Sequence, residues 1–384
     1  MGPLQDVNVV EFAGLGPGPF CGMMLADAGA DVVRIERPRP PGDVMSRLVL
    51  NPVLDRGKRS IALDLRDAAD REVVRRLLAR ADVLTEGFRP GVMERLGFGP
   101  EPVLAANPRL VYGRMTGWGQ TGPYAGTAGH DIDYIAMTGA LHAFGRSAEV
   151  PAPPLNLLGD FGGGGMLLAF GLVSALLHAS RTGAGQVVDA AIVDGTALLT
   201  AMIHGLRLDG TWQDERGVNL LDTGAPFYGV YVCADGGYLA MGALEDPFYA
   251  ALVTGLGLTQ SELPDRANPA CWPELRKLFA ATVARRNRDE WWEIFRGTDA
   301  CVAPVLTWPE AISDEHNLER GVFTDVAGQP QPSPAPRYGM TSVDALRPAP
   351  ALGESGDEIR AELGLPATTL PGGGCLEGNR RESS

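Results

Sequence analysis

Apolar and polar positions in the first third of the chain switch repeatedly between a period of two and a period near 3.6. Residues 7–12 read as a strand, a Gly/Pro turn covers 13–19, residues 20–28 carry helical spacing, and 31–36 return to a strand. A third strand is expected at 60–65, an amphipathic helix at 68–80 and a fourth strand at 82–86, with 110–112 continuing the series. Strands alternating with helices imply an open, mostly parallel sheet whose ligands collect at the carboxyl ends of the strands. Helices are expected at 134–144 and through the long apolar run to about residue 180; 187–192 is β-prone, and the run to residue 208 is again apolar at helical spacing.

The texture changes beyond that point. Two short strands, 228–233 and 238–241, flank Ala234-Asp235-Gly236-Gly237, a turn that supplies the positive φ a hairpin requires. Helices follow near 247–256, 273–284 and 288–296, and 302–306 is expected to lead the chain back to the first domain. The predicted organisation is a large α/β domain over 1–205 completed by 325–365, a smaller α+β domain with its linkers over 206–324, and a polar, glycine-rich tail at 366–384.

Charge and cysteine content narrow the partners. Thirty-three basic against 47 acidic residues leave a net charge of −14, which argues against nucleic acid as the main partner. The five cysteines are odd in number and show no C-x-x-C spacing, so neither a disulfide framework nor a metal site is expected, and a reducing cytoplasm is the natural compartment. The amino-terminal residues lack the charged and apolar regions of a secretory signal, and Asp6 fails the myristoylation pattern. The most membrane-like run, 161–179, opens on glycines and nearly ends at His178, so a buried core helix is expected there and no membrane partner.

Four stretches carry candidate chemistry. Gly14-Leu15-Gly16-Pro17-Gly18-Pro19 resembles a dinucleotide fingerprint with Glu36 downstream, but Pro19 stands where the third glycine belongs. Arg34, Arg37, Arg39, Arg47, Arg56, Lys58 and Arg59 outnumber Glu36, Asp43 and Asp55 by four, which reads either as a solvated loop or as a phosphate cradle. His130 and Asp131 adjoin one another behind Gly129, in a run whose one other charge is Asp133, and Asp160 lies thirty residues on, ahead of Gly162-Gly163-Gly164-Gly165. A base and an acid in two glycine-lined turns point to proton transfer. The plainer alternatives are that Asp160 caps the helix after it, Asp131 bonds its own turn and Glu245 begins the helix at Pro247. His142 and His178 read as core or helix-end residues.

Seven motifs in one order, at 14–19, 63–66, 87–91, 117–123, 129–134, 156–164 and 222–228, make the chain similar to the family III CoA-transferases, and within them to the isomerases that epimerise 2-methylacyl-CoA thioesters. The resemblance implies a Rossmann-like large domain and an interlocked homodimer. It implies an acyl-CoA substrate, with CoA bound as part of the thioester and no separate cofactor. Carried over by motif, His130 and Asp160 would be the proton-transfer groups on opposite faces of the α-carbon, with Glu245 of the partner subunit orienting His130. CoA contacts would fall on Arg37, Leu63, Asp64, Leu65, Arg66, Gly87, Phe88, Arg89, Arg95, Gly129, Asp131, Ile132, Asp133 and Tyr134. Two alternatives stand beside this: a CoA-transferase using Asp131 as nucleophile, and a non-catalytic acyl-CoA-binding protein.

Overall fold

A computed structural model describes residues 2–38, 51–341 and 346–367; Arg39, Asp43, Arg47 and nearly all of the expected tail lie outside the described residues. The chain divides into two compact units. One comprises Met1–Met115, Leu168–Asp189 and Pro334–Ser384, the other Thr116–Leu167 and Ala190–Ser333.

The first unit is built on a sheet of β1 (Asn8–Phe12), β2 (Asp31–Glu36), β3 (Arg59–Ala62), β4 (Val83–Glu86), β5 (Val111–Thr116) and β6 (Val187–Ala191), in the order β3-β2-β1-β4-β5-β6. The pairings β2–β3, β1–β2, β1–β4 and β4–β5 are all parallel. This order reverses between β1 and β4, so the turns leaving those two strands flank a crevice at their carboxyl ends. The strands are buried nearly end to end, as they must be when helices cover both faces. Val10, Phe12, Val33, Ile35, Leu84 and Tyr112 pack with Val73, Val74 and Leu78 of the helix Ala68–Arg80 and with Ile359 of the helix Gly356–Glu362. Each such side chain contributes roughly 1.5–3 kcal/mol of burial. The first helix, Pro17–Asp27, begins three residues earlier than its apolar spacing indicated, because proline at the opening position is pre-set for the helix and loses no needed N–H.

The helix Leu167–Thr182 continues a π-helical segment, Leu157–Met166. Taken together they form the one helix among the described residues long and apolar enough to cross a membrane, and 39% of its apolar window is buried. The expectation of a buried core helix holds for one face: Leu168 and Leu172 lie so close to β5 that a Cβ on Gly113 would come within 2.9 Å of Leu172. Phe170, Val173 and Leu177 are exposed.

The second unit contains an antiparallel sheet of β7 (Tyr228–Val232), β8 (Tyr238–Gly242) and β9 (Val302–Pro304), in the order β7-β8-β9. The expected hairpin is present, with Val232 opposite Tyr238 and Gly236 at φ 80° in its turn. The segment after Ala300 does not simply leave the small sheet. Val302–Pro304 pairs with β8 as its third strand, Leu239 opposite Pro304. The core under this sheet is Phe227, Tyr231, Leu239, Met241, Tyr249, Leu252, Leu275, Phe279, Trp291 and Phe295. A second hairpin, β10 (Phe323–Val326) with β11 (Gln329–Pro332), follows it.

Candidate active site

In the first unit the strand ends carry the anion-binding candidates. Arg37 follows β2, residues 63–66 follow β3 and residues 87–89 follow β4. Leu63 is buried and Leu65 and Phe88 pack against the core, Phe88 edge-on to Phe12 with ring centroids 6.0 Å apart. Those apolar anchors leave the polar neighbours outside: Arg37, Arg66, Arg89 and Arg95 are exposed. Arg66 pairs with Asp64 at 2.7 Å. That hydrogen bond, with the charge of Arg37 nearby, pulls the Asp64 carboxyl down to about 2.

Among the described residues, most of the wider basic run is not an open cradle. Lys58 sits 2.9 Å from Glu11 and 3.3 Å from Asp55, Arg34 contacts Glu11, Glu36 and Asp55, and Arg56 reaches Asp27 at 2.6 Å, all nearly inaccessible to solvent. Arg59 bonds Asp31 at 2.5 Å and Glu362 at 2.8 Å. A Cβ on Gly22 would stand 1.8 Å from Glu11 Oε2, so this glycine of the first helix makes room for the buried carboxylate. Of the basic residues in that run that the structure describes, Arg37 is the exposed one.

The second unit brings the proton-transfer candidates together. His130 is the cap residue of the helix Asp131–Met137; its N–H donates to Asp133 Oδ2 at 2.9 Å, while the residue itself is exposed. The turn before it is clamped by Tyr134, whose hydroxyl donates to the Gly129 carbonyl at 2.5 Å and whose ring meets Trp118 edge-on, centroids 4.7 Å apart. A Cβ on Gly117 would lie 2.0 Å from Tyr134 Cζ, and one on Gly129 2.7 Å from its Cε1, so both glycines are there to admit the ring. At the start of this helix the N–H groups of Asp131 and Ile132 have no intrahelical acceptor. Ile132 is half exposed beside them.

Asp131 does not point outward with its neighbour. It is buried, and its Oδ1 accepts the backbone N–H of Asp160 at 2.6 Å. A Cβ on Gly159 would approach that oxygen to 2.4 Å. The carboxylate thus fastens the turn carrying Asp160 to the turn carrying His130. Asp160 does not cap the following helix: it lies inside the π-helical segment, where the Phe161 N–H donates to the Asn156 carbonyl five residues back at 3.3 Å. Backbone contact holds that segment in place. A Cβ on Gly195 would fall 1.8 Å from the Gly163 carbonyl oxygen, and one on Gly163 2.7 Å from the Thr196 nitrogen.

Burial pushes the Asp160 carboxyl above the usual carboxylate range; a hydrogen bond from Asn156 Nδ2 at 3.2 Å opposes this, the Asp131 charge reinforces it, and His130 is close enough for its positive form to oppose it. The displacement makes the ionised carboxylate a stronger proton acceptor than an exposed aspartate. Asn156 opens the motif at 156–164 but has no role predicted from the sequence, although its spacing of four from Asp160 is the kind that brings side chains together along a helix.

Glu245 stands at the cap position of the helix Asp246–Gly255 but makes no side-chain cap bond, and its carboxylate is exposed. No cluster of three His, Cys, Asp or Glu side chains that could hold a metal occurs among the described residues. At the other end of the His130 helix, a cavity of about 690 Å³ is lined by Thr138, Phe144, Leu158, Leu199, Ile203 and Trp212 among others. His142 and His204 line it as well and are exposed, so His142 is a helix-end residue and not part of the core.

The CoA-transferase family III profile matches residues 4–356. The chain belongs to CoA-transferase family III. Its relatives in the family include the alpha-methylacyl-CoA racemase of Mus musculus, 50% identical over 94% of this chain and 93% of that protein. The protein of the same name from Homo sapiens is 48% identical over 94% of each chain. Among solved structures, a CAIB/BAIF family protein from Brucella suis superposes with a TM-score of 0.82 at 29% identity, covering 94% of this chain and 99% of that one. The family match spans both units, including the Asp131–Asp160 link and the β3-β2-β1-β4-β5-β6 sheet.

Proposed function

We infer that the protein is an isomerase that epimerises 2-methylacyl-CoA thioesters by moving a proton off one face of the α-carbon and onto the other. The relatives bearing the racemase name, at about 50% identity over nearly the whole chain, carry the assignment of reaction. The observation in the fold that supports it most is the 2.6 Å bond from the Asp160 amide to Asp131, which joins the two turns bearing His130 and Asp160.

In this reading His130 takes the α-proton of the S-epimer, and the electron pair of the broken C–H bond passes to the thioester oxygen as an enolate. Amides at the start of the Asp131–Met137 helix stabilise that oxygen. Protonated Asp160 then delivers its proton to the opposite face, and the R-epimer runs the same path in reverse. The two groups need similar proton affinities, and the upward displacement of Asp160 brings a carboxylic acid toward an imidazole. Acid, base and enolate account for every atom, so no cofactor beyond the CoA of the substrate is called for. Arg37, residues 63–66, residues 87–89 and Arg95 hold the CoA moiety, together with residues 129 and 131–134.

We further read the enzyme as an interlocked homodimer in which Glu245 meets His130 of the other subunit. Its exposed carboxylate, bound to no cap amide, supports this, as does the helix Ala201–Leu208, which buries none of its residues although Met202 and Leu208 are apolar. On the same reading the large domain is 1–205 with 325–365 and the small domain 206–324, the latter supported by a hydrophobic cluster confined to residues 225–302. The compartment assigned is the cytoplasm.

The transferase alternative needs Asp131 as a free nucleophile, and its burial and bond to the Asp160 amide weigh for a holding role instead. The deciding experiment supplies a single 2-methylacyl-CoA epimer in heavy water without any acceptor acid. Deuterium should enter the α-position and the other epimer should appear; retention of the α-proton overturns the proposal. Branched fatty acyl, sterol side-chain and arylpropionyl esters are then ranked by turnover.

A further inference from the structure

We propose that Arg266 is the positioning residue for Glu245. The inference rests on the reading above, in which Glu245 orients the imidazole of His130.

Glu245 joins β8 to the helix Asp246–Gly255, and no side-chain bond of its own holds it there. Arg266 supplies the missing restraint from twenty-one residues further along. Its Nη1 donates to the Leu244 carbonyl at 3.0 Å and lies 3.4 Å from that of Ala243. Its Nη2 pairs with the Asp246 carboxylate. One planar guanidinium therefore grips the backbone before Glu245 and the side chain after it, and leaves the Glu245 carboxylate alone.

The guanidinium is itself fixed. Its Cζ stands 4.5 Å from the ring centroid of Tyr249 and 5.2 Å from that of Phe227, both rings buried. Its backbone is tied down by Trp272 Nε1, which donates to the Arg266 carbonyl at 2.8 Å. The Ala243 N–H donates to the Phe227 carbonyl at 3.0 Å, so the turn is held from its other side as well.

The charge arrangement matters as much as the geometry. An arginine beside a carboxylate that must stabilise an imidazolium would weaken it by competing for the same oxygens. Here Asp246 and two carbonyls engage both terminal nitrogens of the guanidinium, which leaves the Glu245 oxygens to His130. A lysine could pair with Asp246 but has no fork with which to hold the carbonyls at the same time.

The readout separates positioning from general weakening. Deuterium entering the unconverted S-epimer requires only the His130 face, whereas deuterium entering the unconverted R-epimer requires only the Asp160 face. Initial exchange of each epimer is measured in heavy water for the unaltered enzyme, Arg266→Ala, Arg266→Lys and Glu245→Gln, with KM for each ester. Arg266→Ala should slow S-epimer exchange by about ten- to a hundredfold, the scale of a misplaced catalytic group, with R-epimer exchange reduced severalfold less and KM unchanged. Arg266→Lys should fall between the two, and it carries the test should the alanine variant not fold. Equal loss at both epimers, or no loss, overturns the role of Arg266. If Glu245→Gln itself shows no S-epimer bias, the reading of Glu245 fails. If Glu245→Gln shows the bias and the Arg266 variants do not, the present inference alone fails.

Discussion

Two groups of charged residues in this protein follow opposite designs. Beneath the ends of β1 and β2, Glu11, Arg34, Glu36, Asp55 and Lys58 form a sealed set, each at most 3% exposed and each carboxylate next to a cation. In the second unit His130 and Glu245 are exposed, and Asp160 is bound to one neutral amide. Burial raises the proton affinity of Glu11, Glu36 and Asp160 alike. For the sealed glutamates the adjacent cations draw it back down, whereas Asp160 has only Asn156 and a nearby imidazole to do so. All three remain raised overall, so the difference lies in what opposes burial: cations at the sealed glutamates, a neutral amide and an imidazole at Asp160.

Breaking the open set should have the largest effect. His130→Ala is expected to reduce S-epimer exchange by about a thousandfold, the middle of the range for loss of a general base, with the unfolding transition unmoved. Breaking the sealed set should act on stability instead. Lys58→Met leaves Glu11 and Asp55 with one fewer buried partner and should cost about 3–5 kcal/mol in denaturant unfolding, and adding Glu11→Gln should recover part of it. A loss of turnover in the folded fraction, with stability intact, would erase the distinction between the two sets.

Smaller effects sharpen the contrast. Asn156 favours the Asp160 carboxylate, so Asn156→Ala should raise its proton affinity further. R-epimer exchange needs that carboxylate ionised; it is lost as pH falls through the Asp160 titration, and the acid limb of its pH profile should move to higher pH in the variant. An unmoved limb would show that Asn156 does not bear on the titration. Least of all, Arg66→Ala removes an exposed pair with Asp64 and should raise KM for the CoA ester severalfold, leaving the melting temperature where it was.

The local parts of this architecture were legible from residue order. The hairpin at Asp235-Gly236-Gly237 follows from its own turn chemistry, with the Gly237 N–H donating to Asp235 Oδ1 at 3.1 Å, and the opening β-α-β alternation follows from apolar spacing. Partners brought together by the fold were not legible. Arg59 meets Glu362 across 303 positions, so a basic run that composition left as either a solvated loop or a phosphate cradle is, over most of its described residues, internal ion pairing. His130 and Asp160 stood out by their glycine-lined settings, but the use of Asp131 as their fastening did not, because its acceptor role depends on Gly159 lacking a side chain. The π-helical winding around Asp160 was equally hidden, since nothing in a run of glycines distinguishes a five-residue from a four-residue hydrogen-bond step.

That winding bears on how the segment can diverge. A π-helical stretch has the hydrogen-bonding of an α-helix that has accommodated additional residues, so removing one residue between 157 and 166 would restore ordinary helix and swing Asp160 about the axis away from its partner. Because Gly163 and Gly195 meet main chain to main chain, no bulkier residue could refill the space from either side. Descendants of this sequence should therefore vary at exposed side chains of the segment such as Leu157 and Met166 long before they alter its length or the two glycines that seat it.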